Sequence, residues 1–139
     1  MNVEEGGNEF ENWLKSIPSV VSSDPLWKMH TYRQALYLSD VAWDDCGKLK
    51  SDHRGKAISQ QLIRSAGSIP ANIEEGYGRG YGKDYARFLR IAIGSCRETK
   101  GWYFRARHTL SEKLIEERIT LINNITSALV KIERNQRRN

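Results

Sequence analysis

The chain has 139 residues, a hydrophobic content of 39% and a net charge of +5. This length is enough for one domain with a single core, and no apolar run approaches the roughly 18 residues that span a bilayer. The two cysteines, Cys46 and Cys96, lie in helical patterns among apolar neighbours, so we expect reduced, buried thiols and no disulfide framework. The acidic start differs from the basic start of a signal peptide, which predicts a cytoplasmic protein without membrane contact. The positive charge is compatible with a polyanionic partner.

Residues 1–23 are predicted to be an acidic, flexible N-terminal tail. They contain four glutamates and one lysine, and they end in a serine-rich stretch. Phe10, Trp13, Leu14 and Ile17 nevertheless recur at helical spacing. Two alternatives follow: the segment is disordered in isolation, or it forms a short helix that docks on the rest of the chain or on a partner.

The first long helix is predicted from Asp24 to about residue 50. Asp24 followed by Pro25 has the pattern of an N-cap and a first helical turn. The apolar residues of this helix form two seams on different sides. Such a helix either lies centrally in the fold or presents its second seam to another subunit. The subunit alternative predicts an oligomer interface made by Met29, Tyr32, Leu36 and Trp43.

The second helix is predicted from an apolar face with steps of three and four residues. That face consists of Ile58, Leu62, Ala66, Ile69, Ile73 and Tyr77. Small residues in the middle of the helix favour close contact with a neighbouring helix. Pro70 removes one backbone hydrogen bond, so we expect a kink near Ala66 that packing tolerates.

The second helix ends in the glycine-rich sequence Gly76-Tyr-Gly-Arg-Gly-Tyr-Gly82. In one interpretation, alternating glycines form a left-handed helix end and a tight turn, so Gly76 is structural. In the other, the glycines let the backbone approach a phosphate beside Arg79 and Lys83. The spacing matches neither a Walker A loop nor the dinucleotide-binding motif G-x-G-x-x-G.

A third helix, predicted over residues 83–108, carries a basic stripe along one side. Residues 79–113 contain nine Lys/Arg and three Asp/Glu, a net charge of +6 that exceeds that of the whole chain. A stripe of this kind is commonly a solvated face. Here it lacks interleaved acids that pair at i,i+4, which favours contact with nucleic acid. The predicted nucleic-acid-binding residues are Arg79, Lys83, Arg87, Arg90, Arg97, Lys100 and Arg105.

Thr109-Leu-Ser-Glu112 has the pattern of a capping box and predicts a fourth helix to about residue 133. Short connections predict antiparallel neighbours, so residues 24–134 are expected to form an all-α, up-down four-helix bundle. Residues 135–139 are expected to be a basic C-terminal tail. No histidine has Cys, Asp or Glu at metal-ligand spacing, and no nucleophile accompanies a candidate base. We therefore expect no metal site, no cofactor and no catalytic residue.

The sequence Ser-Ile-Pro-Ala-Asn-Ile-Glu-Glu-Gly-Tyr-Gly-Arg over residues 68–79, with residues 88–95, resembles a bacterial four-helix-bundle family. That family includes proteins encoded in intervening sequences of 23S ribosomal RNA and, more distantly, accessory proteins of diversity-generating retroelements. The resemblance covers about residues 26–129, although residues 97–102 depart from the usual apolar pattern. It implies a ring-shaped homo-oligomer, pentameric in characterised relatives. It also implies that Asn72 and Glu75 are structural polar residues, alongside Pro70 and Gly76.

These features predict a non-enzymatic, oligomeric accessory protein that binds RNA or DNA through its third helix. The resemblance adds a reverse transcriptase and its RNA as partners. The alternative is a protein-interaction scaffold whose basic face binds an acidic protein surface.

Overall fold

The protein is all-helical: the computed structural model describes residues 3–138, with side chains from residue 9 onward, and no strand occurs there. The predicted all-α class is confirmed, and this range contains six α-helices, two of which precede residue 24. None of the described helices has the length and apolar character needed to cross a membrane. The helices are α1 Val3–Ser16, α2 Ser19–Ser22, α3 His30–Leu49, α4 His53–Gly78, α5 Lys83–Arg105 and α6 Glu112–Arg138, with 3-10 turns at Pro25–Lys28 and Ala106–His108.

The four long helices α3 to α6 pack side by side, each antiparallel to the next. In every neighbouring pair, contacts join rising residue numbers on one helix to falling numbers on the other. The pairs are Tyr32–Glu74 and Cys46–Ser59, then Ser65–Thr99 and Ser68–Ser95, then Arg90–Glu133 and Lys100–Asn123. Both α4 and α6 contact α3 and α5, so α3 and α5 lie diagonally across the bundle.

The first long helix begins later than predicted. The Asp24 carboxylate accepts a hydrogen bond from the Leu26 N–H at 2.8 Å, but the turn that follows is a 3-10 helix over Pro25–Lys28. Met29 then has an extended backbone, with φ −80° and ψ 108°, which cannot continue either kind of helix. The α-helix therefore starts at His30, and the cap signal at Asp24 belongs to a separate short turn.

Helix α1 packs against α3 through aromatic side chains. The Phe10 and Trp13 rings meet Tyr37 edge to face, with centroids 5.2 and 5.4 Å away, and Trp13 stacks on Trp27 at 6.0 Å. Trp13 Nε1 also donates to the Asp40 carboxylate at 2.7 Å. Of the two alternatives for the predicted tail, the structure shows the second: the segment forms a helix that docks on the rest of the chain. The i,i+3 spacing of Phe10 and Trp13 places both rings on one side of α1.

The last helix differs from its prediction at both ends. Ser111 Oγ accepts from the Leu114 N–H at 3.2 Å, so Ser111 caps α6 in place of the predicted Thr109. The helix continues to Arg138, and the described part of the expected basic tail is therefore helical. Arginine and glutamine are good helix formers, and cations near a helix C-terminus are favourable.

A polar network crosses the core of the bundle. The Asp45 carboxylate, on α3, is 1% exposed. It accepts a hydrogen bond from the Tyr103 hydroxyl at 2.7 Å and from Arg118 Nε and Nη2 at 2.7 and 3.2 Å. Burial, together with the charge of Asp45, raises the pKa of Tyr103, so the phenol stays protonated and donates. The network joins α3, α5 and α6, and the sequence analysis did not anticipate it.

Small and hydroxylated residues line the contact between α4 and α5. Thr99 Oγ1 lies 3.0 Å from Ser65 Oγ, and the hydroxyls of Ser68 and Ser95 are 2.9 Å apart. A Cβ atom at Gly76 would lie 2.7 Å from Tyr85 Cδ2 and 2.9 Å from Phe88 Cβ, so this position requires glycine. The expected close approach of two helices is therefore present.

The other residues predicted to be structural lie along α4. Pro70 is buried inside this helix, and its kink stays a prediction. Asn72 Nδ2 donates to the Ser68 carbonyl at 2.8 Å, while Glu75 lies on the surface. Asn72 thus adds a side-chain hydrogen bond in the turn that contains Pro70.

Both cysteines are free and buried, as predicted. Cys46 lies on α3 and Cys96 on α5. Burial raises the pKa of each thiol to about 11. Because the thiolate is the reactive form, these side chains serve as core residues at neutral pH.

Candidate nucleic-acid interface

The basic residues of α5 lie on the outward side of that helix. The inner side is marked by buried Tyr85, Leu89, Ala92, Cys96 and Tyr103. Residues three and four apart share a face, so the opposite side faces solvent. All seven predicted nucleic-acid-binding residues are exposed: Arg79 at the end of α4, and Lys83, Arg87, Arg90, Arg97, Lys100 and Arg105 on α5. We call the six α5 residues the α5 basic face.

Part of this charge is neutralised by an acid that the sequence analysis missed. Glu133 on α6 is a buried carboxylate whose side chain is 8% exposed. Arg90 Nη1 donates to it at 2.9 Å, and Arg137 Nε lies 3.5 Å from the same oxygen. Arg90 and Glu133 are 43 residues apart in sequence, so helical spacing alone could not pair them. The cluster of two arginines and one glutamate keeps a net positive charge.

Two further ion pairs at this end of the bundle are local and exposed. Arg79 pairs with Glu75 at 2.8 Å, and Arg87 pairs with Asp84 at 3.4 Å. Exposed pairs of this kind contribute about 0–1 kcal/mol each, so a phosphate group could compete for either arginine. These pairs reduce the net charge of the surface, but both arginines remain accessible to a ligand.

Four cations of the α5 basic face have no acidic partner. Among the side chains of residues 9–138, Lys83, Arg97 and Arg105 take part in no ion pair. Lys100 Nζ contacts only a neutral group, the Asn123 side-chain carbonyl, at 3.1 Å. These residues lie near both ends and near the middle of α5. They are the strongest candidates for phosphate contact in the described structure.

Aromatic rings lie beneath several arginines of this surface. Phe88 lies between Arg79 and Arg87, whose guanidinium carbons are 5.4 and 4.5 Å from the ring centroid. Arg105 lies 4.6 Å from the Trp102 ring. A guanidinium over a ring gains a cation–π attraction and loses rotamer freedom before any ligand arrives. The arginines are thereby partly ordered for binding.

The geometry of the glycine-rich turn favours a structural role over a role in phosphate binding. Gly80 and Gly82 have positive φ, 96° and 82°, a conformation that glycine adopts without strain. The Gly82 N–H donates to the Gln136 side chain at 2.9 Å, so this amide is already satisfied by α6. The turn connects α4 to α5 tightly and ties the connection to the last helix. Arg79 and Lys83 flank it and remain exposed.

The four residues predicted for the oligomer interface do not form one exposed surface. Tyr32 is 8% exposed and donates to Glu74 at 2.7 Å, and burial raises the pKa of its phenol. Met29 lies at the Tyr85 hydroxyl, 3.8 Å away, and Leu36 is half-buried. Trp43 alone is largely exposed, at 70%. The expected contiguous patch is absent because Tyr32 faces α4 and packs within the chain.

Comparison with solved structures supports the fold. A structure of a protein with unknown function from the S23 ribosomal protein family of Bacteroides thetaiotaomicron VPI-5482 matches with a TM-score of 0.69. The two chains are 23% identical over 74% of this chain and 97% of the other. No curated protein sequence matches the chain. The family model described as 23S rRNA-intervening sequence protein matches residues 28–131, which covers α3 to most of α6. The chain therefore belongs to the 23S rRNA-intervening sequence protein family.

Proposed function

We propose that this chain is a non-enzymatic accessory protein that binds nucleic acid through the α5 basic face. The observation that carries the proposal is a set of six exposed cations on one helix, four of which lack an acidic partner in the described structure. The name of the family associates its members with an intervening sequence of 23S rRNA, so RNA is the first ligand to test.

The dimensions of α5 suit a phosphate backbone. From Lys83 to Arg105 the helix rises about 33 Å, at about 1.5 Å per residue. This length is close to one turn of B-form DNA, about 34–36 Å. Binding through phosphates releases counterions, so affinity should fall with salt in a log-linear way.

The test compares two triple variants that remove the same charge. Replacing Lys83, Arg97 and Lys100 by glutamine should weaken binding to a 20-nucleotide RNA by at least about tenfold. It should also lower the slope of log affinity against log salt by about 2, because up to three phosphate contacts are lost. The control replaces exposed Lys15, Lys28 and Lys48, which lie on the α1 and α3 side, and should change little. Fluorescence anisotropy between 50 and 200 mM salt measures both quantities. Equal losses in the two variants would contradict the assignment of the α5 basic face.

The competing function is a scaffold whose α5 basic face binds an acidic protein. It is favoured by a specific observation: Arg87 and Arg90 of this face already donate hydrogen bonds to carboxylates, those of Asp84 and Glu133. An acidic protein would present the same chemical group. Absence of RNA and DNA binding even at 50 mM salt, with binding to a polyglutamate peptide, would favour this alternative.

The proposal also includes the assembly and partners that the sequence resemblance implies. We propose a cytoplasmic homo-oligomer, a pentameric ring, that acts with a reverse transcriptase and its RNA. Light scattering should then give about five times the 16.0 kDa mass of one chain. A monomer at micromolar concentration would contradict the ring. Nucleic-acid binding would then depend on the α5 basic face of a single chain.

A further inference from the structure

An open groove of about 550 Å³ lies between α1 and the outward side of α3. Because α3 and α5 are diagonal in the bundle, this groove is on the opposite side of the molecule from the α5 basic face. Its chemistry also differs, since it combines three carboxylates with three aromatic rings. The lining residues that matter are Glu9, Asp40, Asp44, Trp13, Tyr37 and Trp43.

The three carboxylates have no cationic partner. Among the side chains of residues 9–138, Glu9, Asp40 and Asp44 take part in no ion pair. Only Asp40 accepts a side-chain hydrogen bond, from neutral Trp13. In a chain of net charge +5, three neighbouring unpaired acids make a local negative potential that a cation would relieve.

The aromatic rings suit the same kind of ligand. Trp13 and Tyr37 are held in place by mutual packing at 5.4 Å. Trp43 is 70% exposed beside them, which leaves its ring face open to a ligand. Tryptophan attracts a cation more strongly than other aromatic residues, and arginine stacks on it well. Tryptophan is also enriched among the residues that dominate binding energy at protein interfaces.

We propose that this groove binds an arginine-rich segment of a partner protein in extended conformation. Asp40 and Asp44 are four residues apart on α3, which places their Cβ atoms about 5–6 Å from each other. Alternate side chains of an extended peptide are about 6.5–7 Å apart on one face, so two successive arginines could reach the two carboxylates. A single small cation would gain less binding free energy, because the groove is open and the solvent screens each ionic contact. The site is independent of the α5 basic face, and the two surfaces can be occupied together.

The experiment uses the full chain and two dye-labelled octapeptides measured by fluorescence anisotropy at 50 mM salt. One peptide alternates glycine and arginine, and the other carries citrulline, which has nearly the same shape without the charge. Saturable binding of the arginine peptide is expected, at least about tenfold tighter than that of the citrulline peptide. Trp43→Ala should weaken binding by about tenfold or more, and Asp44→Asn by about threefold. The matched controls Val20→Ala and Glu116→Gln alter exposed residues outside the groove and should have no effect.

Three results would overturn the proposal: no saturable binding, equal binding of the two peptides, or variants that bind as their controls do. A fourth is a wild-type oligomer that Trp43→Ala converts to monomers, since a second copy of the chain would then fill the groove. Thermal melting of each variant verifies that it is folded, which is expected because the changed side chains are exposed. No nucleic acid is present in these assays, so the outcome does not depend on the proposed function.

Discussion

Replacing Ile69 by aspartate is expected to unfold the protein. Ile69 lies on α4 with none of its surface exposed, among the apolar residues that face α3 and α5. An unpaired carboxylate in such a place costs several kcal/mol, against a total stability of about 5–15 kcal/mol for a domain of this kind. Circular dichroism during heating should show loss of the cooperative transition, or a midpoint far below that of the wild type.

Ile63→Asp provides the matched control for this change. Ile63 is on the same helix, but 41% of its surface is exposed, so water can solvate the new charge. The control should shift stability by no more than about 1 kcal/mol. If both variants melt together, the buried side of α4 has been assigned to the wrong residues.

The second large effect is expected for Asp45→Ala. The substitution removes the only described acceptor of two core donors, the Tyr103 hydroxyl and the Arg118 guanidinium. The Arg118 side chain is 11% exposed and would keep an uncompensated charge inside the fold. Breaking a buried pair in this way costs about 3–5 kcal/mol. The midpoint of urea denaturation measures the loss.

Two comparisons separate the charge from the size of the removed side chain. Asp44→Ala removes the same atoms from the neighbouring, exposed position and should change stability little. The triple variant Asp45→Leu/Tyr103→Phe/Arg118→Met removes the acceptor together with both of its donors and should recover much of the stability. A loss at Asp45 no larger than that at Asp44 would show that the network contributes little to folding.

The sequence was sufficient to predict the buried side of α4 and the exposed side of α5. Leu62, Ala66, Ile69 and Ile73 recur at steps of three and four, and all four are fully buried. Tyr77 continues the same spacing but is 45% exposed, and it lies in the last turn of the helix. Helical periodicity thus predicts faces well and helix ends poorly.

Partners from other helices could not be predicted in the same way. Asp45 has the sequence surroundings of a surface residue, and its burial depends on Tyr103 and Arg118, 58 and 73 residues away. Glu133 likewise pairs across helices with Arg90. A carboxylate is stable in the core only when donors from other helices form hydrogen bonds with it. A single sequence does not show which distant residues will make these contacts.

In the N-terminal segment, the helical spacing of two aromatic residues predicts the structure better than the composition does. Its glutamates and glycines favoured disorder, whereas the helical spacing of Phe10 and Trp13 favoured docking. In the structure the Phe10 ring packs against Tyr37 and the Trp13 ring stacks on Trp27, so the aromatic contacts decide the outcome. The predicted exposed seam on the first long helix is wrong at Tyr32. Its burial depends on α4, which packs over it and is distant in sequence.

The carboxylates of the groove and the cations of the α5 basic face lie on opposite sides of the bundle and contribute an electric dipole moment across it. Carboxylates gather on α1 and α3, while the cations of α5 face the other way. At about 0.01 M ionic strength the screening length is about 30 Å, so an approaching polyanion senses both sides at once and is turned toward α5. At physiological ionic strength the length is about 8 Å, and the polyanion senses only the side that it approaches. Under cellular conditions the net charge of +5 therefore understates what a nucleic acid encounters in front of α5, because the acidic side no longer subtracts from it.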